Sequence, residues 1–192
     1  MNNLILCGFM GSGKTTLAKR LAEHFGMELI DTDAEIEKRE NRSIADIFAT
    51  DGEAYFRTKE TELIKELSAR DNLIIALGGG LAVNEKNHPY LKSGRVILLD
   101  CGIEETLKRI EGDKSRPLTA NGRQDIIDRY NFRRPIYEAV ADSIETLVAS
   151  YRFIKTDALL VGFSCLISLP RNFVCLRNND SSFLNHLPYG LE

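Results

Sequence analysis

The feature that most narrows what this chain can fold into is the run Gly8-Phe9-Met10-Gly11-Ser12-Gly13-Lys14-Thr15, which fits GxxxxGK[ST]. Its setting counts as much as its spelling. Leu4-Ile5-Leu6-Cys7 before it is a short apolar run, and after Lys14 apolar residues return at helical spacing through Leu17, Leu21 and Phe25. Strand, loop and helix in that order make a phosphate cradle. Glycines let backbone N–H groups converge on phosphate oxygens, and the start of the helix adds a favourable dipole. Lys14 is expected to bridge the β- and γ-phosphates and the Thr15 hydroxyl to ligate Mg²⁺. The plain alternative is a glycine-rich turn that happens to precede a helix, and both flanking elements weigh against it. The Asn-Lys-x-Asp base-reading motif of a GTPase does not occur, so ATP is the expected nucleotide.

Further along, strands and helices alternate. Glu28 to Asp31 reads as a second strand, and Ile36, Ile44, Ile47 and Phe48 mark two brief helices, the second capped by Ser43. Phe56, Leu63, Ile64 and Leu67 keep a helical period from Glu53 to Ala69. Leu73 to Leu77 and Val96 to Leu99 are continuous apolar runs of the kind that suits a parallel sheet covered on both faces. A helix from Glu104 to Ile110 leads into a polar stretch, Gly112 to Gly122, which reads as a flap. Gln124 to Ala141 is predicted helical, with Pro135 expected to kink it or sit near a break, and Ser143 to Thr146 is a candidate last strand. The pattern predicts a three-layer α/β domain around a central five-stranded parallel sheet, plus a lid.

A chain of 192 residues suits one such domain, and 43% apolar with 28% charged residues and a formal charge of -3 describes a soluble globular protein without a nucleic-acid partner. Charge is less even locally: residues 112 to 134 carry six basic side chains against three acidic ones, which points to an anionic ligand or to a solvated face. Cys7, Cys101, Cys165 and Cys175 are far apart, form no CxxC pair and read as reduced thiols. His24, His88 and His186 are equally dispersed. The longest apolar stretch, Ala158 to Leu169, falls short of the ~20 residues a spanning helix needs. No membrane segment is expected. The start of the chain lacks a basic segment followed by a cleavable apolar one, so a cytoplasmic protein is expected.

Asp31 and Asp33 stand at the end of the second predicted strand, where ligands collect in a parallel sheet, beside the phosphate loop. One carboxylate would hold the water shell of Mg²⁺ and the other would receive a substrate hydroxyl proton. Asp33 equally suits a cap on a helix starting near Glu35. These residues open a longer series. Gly-x-Met-Gly-Ser-Gly-Lys-Thr-Thr, Asp31-Thr-Asp33, Ser43-Ile-x-x-Ile-Phe48, Gly52-Glu53-x-x-Phe56-Arg57-x-x-Glu60, Gly78-Gly-Gly80, Arg116-Pro-Leu118 and Arg133-x-Pro-x-Tyr137 resemble shikimate kinase in order and spacing from residue 1 to about 142.

The resemblance implies ATP-dependent phosphorylation of the 3-hydroxyl of shikimate, a step in chorismate and aromatic amino-acid biosynthesis, by a cytoplasmic monomer. It implies ATP binding by Gly11, Ser12, Gly13, Lys14, Thr15, Thr16 and Arg116. The metal would be held by Thr15 and, through water, by Asp31. Catalysis would fall to Asp33, Lys14 and Arg116, the last lying in the lid. Substrate contacts would come from Asp33, Arg57, Gly78, Gly79, Gly80 and Arg133. A planar guanidinium suits the acid's carboxylate, and glycine amides allow close approach.

Periodicity by itself leaves Arg57 an exposed helix residue and Arg133 ambiguous with Arg134, and Arg116 alone would be an ordinary loop arginine. Asp100, at the end of an apolar strand, is a second candidate metal acid, ranked behind Asp31. A kinase for another hydroxylated acid such as gluconate, and a nucleotide-binding switch without phosphoryl transfer, are the rival readings. The domain is expected over residues 1 to 146, with its lid at about 112 to 122. From 147 to 192 the composition changes and departs from the family, which leaves the adenine contacts open.

Overall fold

The computed structural model describes residues 3–110 and 122–146. The expected flap apart from Gly122, Arg116 within it, and the segment 147 to 192 lie outside the described residues. Among those described, β1 (Asn3–Cys7), β2 (Glu28–Asp31), β3 (Leu73–Ala76), β4 (Gly94–Asp100) and β5 (Ser143–Thr146) make one five-stranded sheet in the order β2-β3-β1-β4-β5. Every neighbouring pair runs parallel. β1 therefore lies in the middle, with the chain crossing from one side of it to the other between β3 and β4. Such a reversal opens a crevice at the carboxyl ends of the strands, and the loop after β1 emerges into it.

The three inner strands β1, β3 and β4 are buried along their whole length, which is why they read as largely apolar runs rather than alternating ones. Leu4, Leu6, Ile74, Ala76, Ile97 and Leu99 face one side and pack with Leu17, Ala18 and Leu21 of α1 (Lys14–Phe25). Ile5, Cys7, Ile75, Leu77, Val96 and Leu98 face the other. There they meet Ile36 of α2 (Thr32–Glu40), Ile47 of α3 (Ile44–Thr50) and Phe56, Leu63, Ile64 and Leu67 of α4 (Gly52–Ser68). Helices on both faces of a parallel sheet give the three layers that the alternating pattern predicts. Each fully buried Leu or Ile contributes roughly 1.5–3 kcal/mol, so the two apolar layers dominate the stability of the domain.

Local details depart from the sequence expectations in three places. α2 begins at Thr32, directly after β2, so Asp31 rather than Asp33 is its cap: the Asp31 carboxylate accepts from the amides of Asp33 at 3.2 Å and Ala34 at 3.3 Å. Between β3 and β4 the chain makes two 3₁₀ turns, Leu81–Val83 and Glu85–Asn87, and the short α5 (His88–Leu91), where the sequence offered only a mixed segment. After α6 (Ile103–Ile110), α7 (Gly122–Val140) runs through Pro135 without the break that is one of the two expectations there. Asn131, whose carbonyl loses its helical donor there, and Pro135 are both exposed, so the missing bond falls on the solvent side of the helix. Ser43 caps α3 as the sequence predicts, accepting from the Asp46 amide at 3.1 Å. None of the described helices is long and apolar enough to cross a membrane.

Candidate active site

Gly13 ends the loop after β1 and caps α1 with its backbone at φ 92°, and no side chain caps the helix there. The first amides of α1 are thus left for an anion, with the helix dipole behind them. Lys14 Nζ lies back over the loop and donates to the main-chain oxygens of Gly8 and Phe9, both at 2.9 Å. Thr15 Oγ1 donates to Asp31 Oδ2 at 2.8 Å, so the carboxylate that caps α2 also ties the loop to β2. Hydroxyl and carboxylate oxygens of this kind suit Mg²⁺, which takes few protein ligands and fills its remaining positions with phosphate and water. The loop, Thr15, Thr16, Asp31, Asp33 and Gly79 line one cleft of about 390 Å³.

Asp33 sits in the first turn of α2, so Asp31 and Asp33 reach the cleft from a helix start rather than both from the end of a strand. Burial, and then the charge of Asp31, raise the Asp33 pKa above the ordinary carboxylate value, against the pull of Lys14 and Arg57. Its carboxylate lies over Gly78, where an added Cβ would stand 2.0 Å from Oδ1. Only glycine leaves that space. The Gly78 amide is held from below by the buried Thr32 Oγ1 at 2.8 Å.

The same turn receives the two arginines. Arg57, projecting from α4, places its guanidinium where a Cβ on Gly80 would be 2.1 Å from Nη1. It is fixed there by Glu60 Oε2 at 2.7 Å and by Glu53 Oε1, at 2.6 Å from Nη2 and 3.1 Å from Nε. With its side chain 25% exposed, Arg57 is no solvated surface residue. Arg133, on α7, donates from Nη1 to the Gly79 oxygen at 3.1 Å and lies over the Phe9 ring, 6.0 Å from its centre. Arg134 instead points to Asp100, with Nε 3.2 Å from Oδ2. The turn thus brings Asp33, Arg57 and Arg133 together at the mouth of the phosphate loop, and an added Cβ on Gly79 would be 3.8 Å from the Met10 amide nitrogen.

Three neighbours carry no role in the sequence reading. Glu60 is wholly buried, its Oε1 finds no hydrogen-bond partner among the described residues, and burial pushes its pKa up to about 7 although Arg57 pulls it down. Its charge looks, in sequence, like any solvated helix position. Arg109 on α6 pairs with Glu105 at 2.9 Å and donates to the Gly11 oxygen at 3.1 Å, facing the cleft. Its i, i+4 spacing reads as a routine surface pair. Tyr137 donates its hydroxyl to the Gly79 oxygen.

Asp100 is engaged elsewhere. Its Oδ1 accepts from Tyr130 at 2.8 Å and from the Gly102 amide at 3.0 Å, tying α7 to the end of β4. The two described cysteines, Cys7 and Cys101, are free, and burial raises the Cys7 thiol to about 12, far above the range in which a thiol is reactive. No group of three or more His, Cys, Asp or Glu side chains comes together as a metal site among the described residues.

This geometry has relatives. The family described as shikimate kinase matches residues 10–158. A shikimate kinase from Persephonella marina is 42% identical over 147 residues, covering 76% of this chain and 90% of the relative. One from Synechococcus elongatus is 50% identical over 116 residues, and there the match spans 61% of the relative's length. Among solved structures, shikimate kinase from Acinetobacter baumannii in complex with shikimate superposes with a TM-score of 0.77 at 38% identity, over 86% of this chain and 94% of that one. A gluconokinase from Sinorhizobium meliloti, at 15% identity and a TM-score of 0.52, shares the fold alone. A P-loop, a capping aspartate bound to it, and an acid and two arginines gathered on a triple-glycine turn go with these matches, and the chain belongs to the shikimate kinase family.

Proposed function

We propose that this chain transfers the γ-phosphoryl group of ATP to the 3-hydroxyl of shikimate, giving shikimate 3-phosphate and ADP. One observation carries the reading: a carboxylate of raised basicity and two guanidinium groups converge on the Gly78–Gly80 turn, at the rim of the cleft that the phosphate loop lines. A cyclic acid with hydroxyls opposite its carboxylate fits between these groups.

Arg57 and Arg133 bind the substrate carboxylate, each able to offer two parallel N–H donors. Gly79 and Gly80 allow the ring to approach the backbone closely. Asp33 accepts the proton of the 3-hydroxyl as its oxygen bonds to the γ-phosphorus and the bond from that phosphorus to the bridging oxygen of ADP breaks. Its raised pKa places it nearer the working pH than a free aspartate, which favours it as a general base. Lys14 leaves the Gly8 and Phe9 oxygens for the phosphates, and the α1 amides hold them. Thr15 and, through water, Asp31 would hold Mg²⁺, which when bound neutralises phosphate charge. Arg116, the position that matches the family's lid arginine, stabilises the transferred group in this reading, a role worth ~10³-fold or more in rate.

Coupled ADP release, measured with and without shikimate and against a panel that includes gluconate, tests this. Release that depends on shikimate in the parent and nearly vanishes in Asp33→Asn is expected. Equal release with and without the acid, or no loss in the variant, would sink the proposal.

A further inference from the structure

The reaction above gives no task to Tyr137, although it holds the centre of the acceptor turn. Tyr137 lies one helical turn beyond Arg133 on α7 and is 2% exposed. Its hydroxyl donates to the Gly79 main-chain oxygen at 2.5 Å, and Arg133 Nη1 donates to the same oxygen at 3.1 Å. A carbonyl oxygen has two lone pairs, so both donors are accommodated, yet one is enough to spare this partly buried acceptor much of the cost of being unpaired. The two donors are unequal in what they can do besides. The phenol has one proton to give, whereas the guanidinium has five N–H groups in a planar fork suited to a carboxylate.

We infer that Tyr137 is a positioning residue: by keeping the Gly79 carbonyl satisfied, it frees Arg133 to leave that oxygen and turn its fork to the acceptor's carboxylate. This rests on the shikimate kinase reading given above. Without the hydroxyl, Gly79 has Arg133 as its remaining side-chain donor, and the incoming acid must compete with a partly buried carbonyl for that guanidinium. Affinity for the acid then falls, while the phosphate loop and Asp33 keep their own supports. The fold changes little, because Arg133 still satisfies the carbonyl.

The experiment compares parent, Tyr137→Phe, Arg133→Met and the double variant by calorimetric titration with shikimate, steady-state kinetics and thermal unfolding. For Tyr137→Phe, Kd and KM for shikimate rise about tenfold, the order of one hydrogen bond, while kcat and the KM for ATP stay within about twofold. Its Tm stays close to the parent's. In the double variant the carbonyl has lost both donors, and Tm falls by more than the two single changes together. A Tyr137→Phe protein that binds shikimate as the parent does overturns the inference alone. So does one with lowered Tm and a general fall in kcat and both affinities, since that marks a merely structural hydroxyl. A parent that does not bind shikimate overturns the functional reading and this inference with it.

Discussion

The nucleotide side of the cleft comes from eight consecutive residues, Gly8 to Thr15, whereas the acceptor side is put together from α2, α4, the turn after β3 and α7. The first is mostly main chain: in the proposed reaction the amides at the start of α1 hold the phosphates, with Lys14 and Thr15 as the side chains beside them. The second is mostly side chain, and its members hold one another. Asp33 needs the empty space on Gly78, Arg57 the space on Gly80 and the carboxylates of Glu53 and Glu60, and Arg133 the oxygen of Gly79. A local loop therefore fails at single points, while the assembled side fails by displacement of one group through another.

Substitutions can break or sharpen this contrast. The largest effect is expected on the nucleotide side: Lys14→Met removes the one cation of the loop and lowers kcat/KM for ATP by about 10³-fold or more, the scale of a lost phosphate-stabilising cation. Loss of only a few-fold in steady-state assays would show that the loop amides suffice. Next, Gly78→Ala forces the Asp33 carboxylate aside and lowers kcat by about 10²-fold, the scale of general-base catalysis, with Tm nearly kept. Gly80→Ala presses on the tip of Arg57 instead, so the KM for shikimate rises about tenfold and kcat holds. If both alanines affected kcat and KM alike, the turn would act as one block rather than as two separate supports.

The smallest effect per step is on stability. The folded protein raises the Glu60 pKa from 4.5 to about 7, so the fold favours the protonated acid. That contribution is complete below pH 4.5 and is lost as pH climbs through about 7, at a slope of no more than about 1.4 kcal/mol per pH unit. Asp33, also raised, adds a slope of the same sign, and Arg57 opposes both. Urea unfolding at stepped pH should show a flatter profile between pH 5 and 7 in Glu60→Gln. An unchanged profile would place the titrating proton elsewhere.

The sequence reveals the two sides unequally. Strand, loop and helix around Gly8 to Thr15 were legible from pattern alone, because the chemistry is contiguous, and the strand Glu28–Asp31 emerges with the predicted limits. Asp31 and Asp33 were legible as a pair, but the helix that starts at Thr32 was not, since Asp31 caps it from a position that also ends a strand. Arg57 and Arg133 were recognisable only through the family series. Nothing in their own periodicity tells that α4 and α7 meet over a glycine turn. Arg109 escaped altogether, and Glu60 and Tyr137 were named in the family series without a task, because a helix residue reads alike in sequence whether water or the rest of the fold covers it.

The central place of β1 bears on how the protein is made. Its partners in the sheet are residues 74 to 76 on one side and 94 to 98 on the other, so the first of these five strands to be translated is among the last to be enclosed. A nascent chain stopped before β4 carries the whole nucleotide motif and still lacks the strand that flanks it, with apolar edges open to the wrong neighbours. Nucleotide binding should therefore switch on abruptly with chain length once β4 has emerged, long after its own residues have been translated.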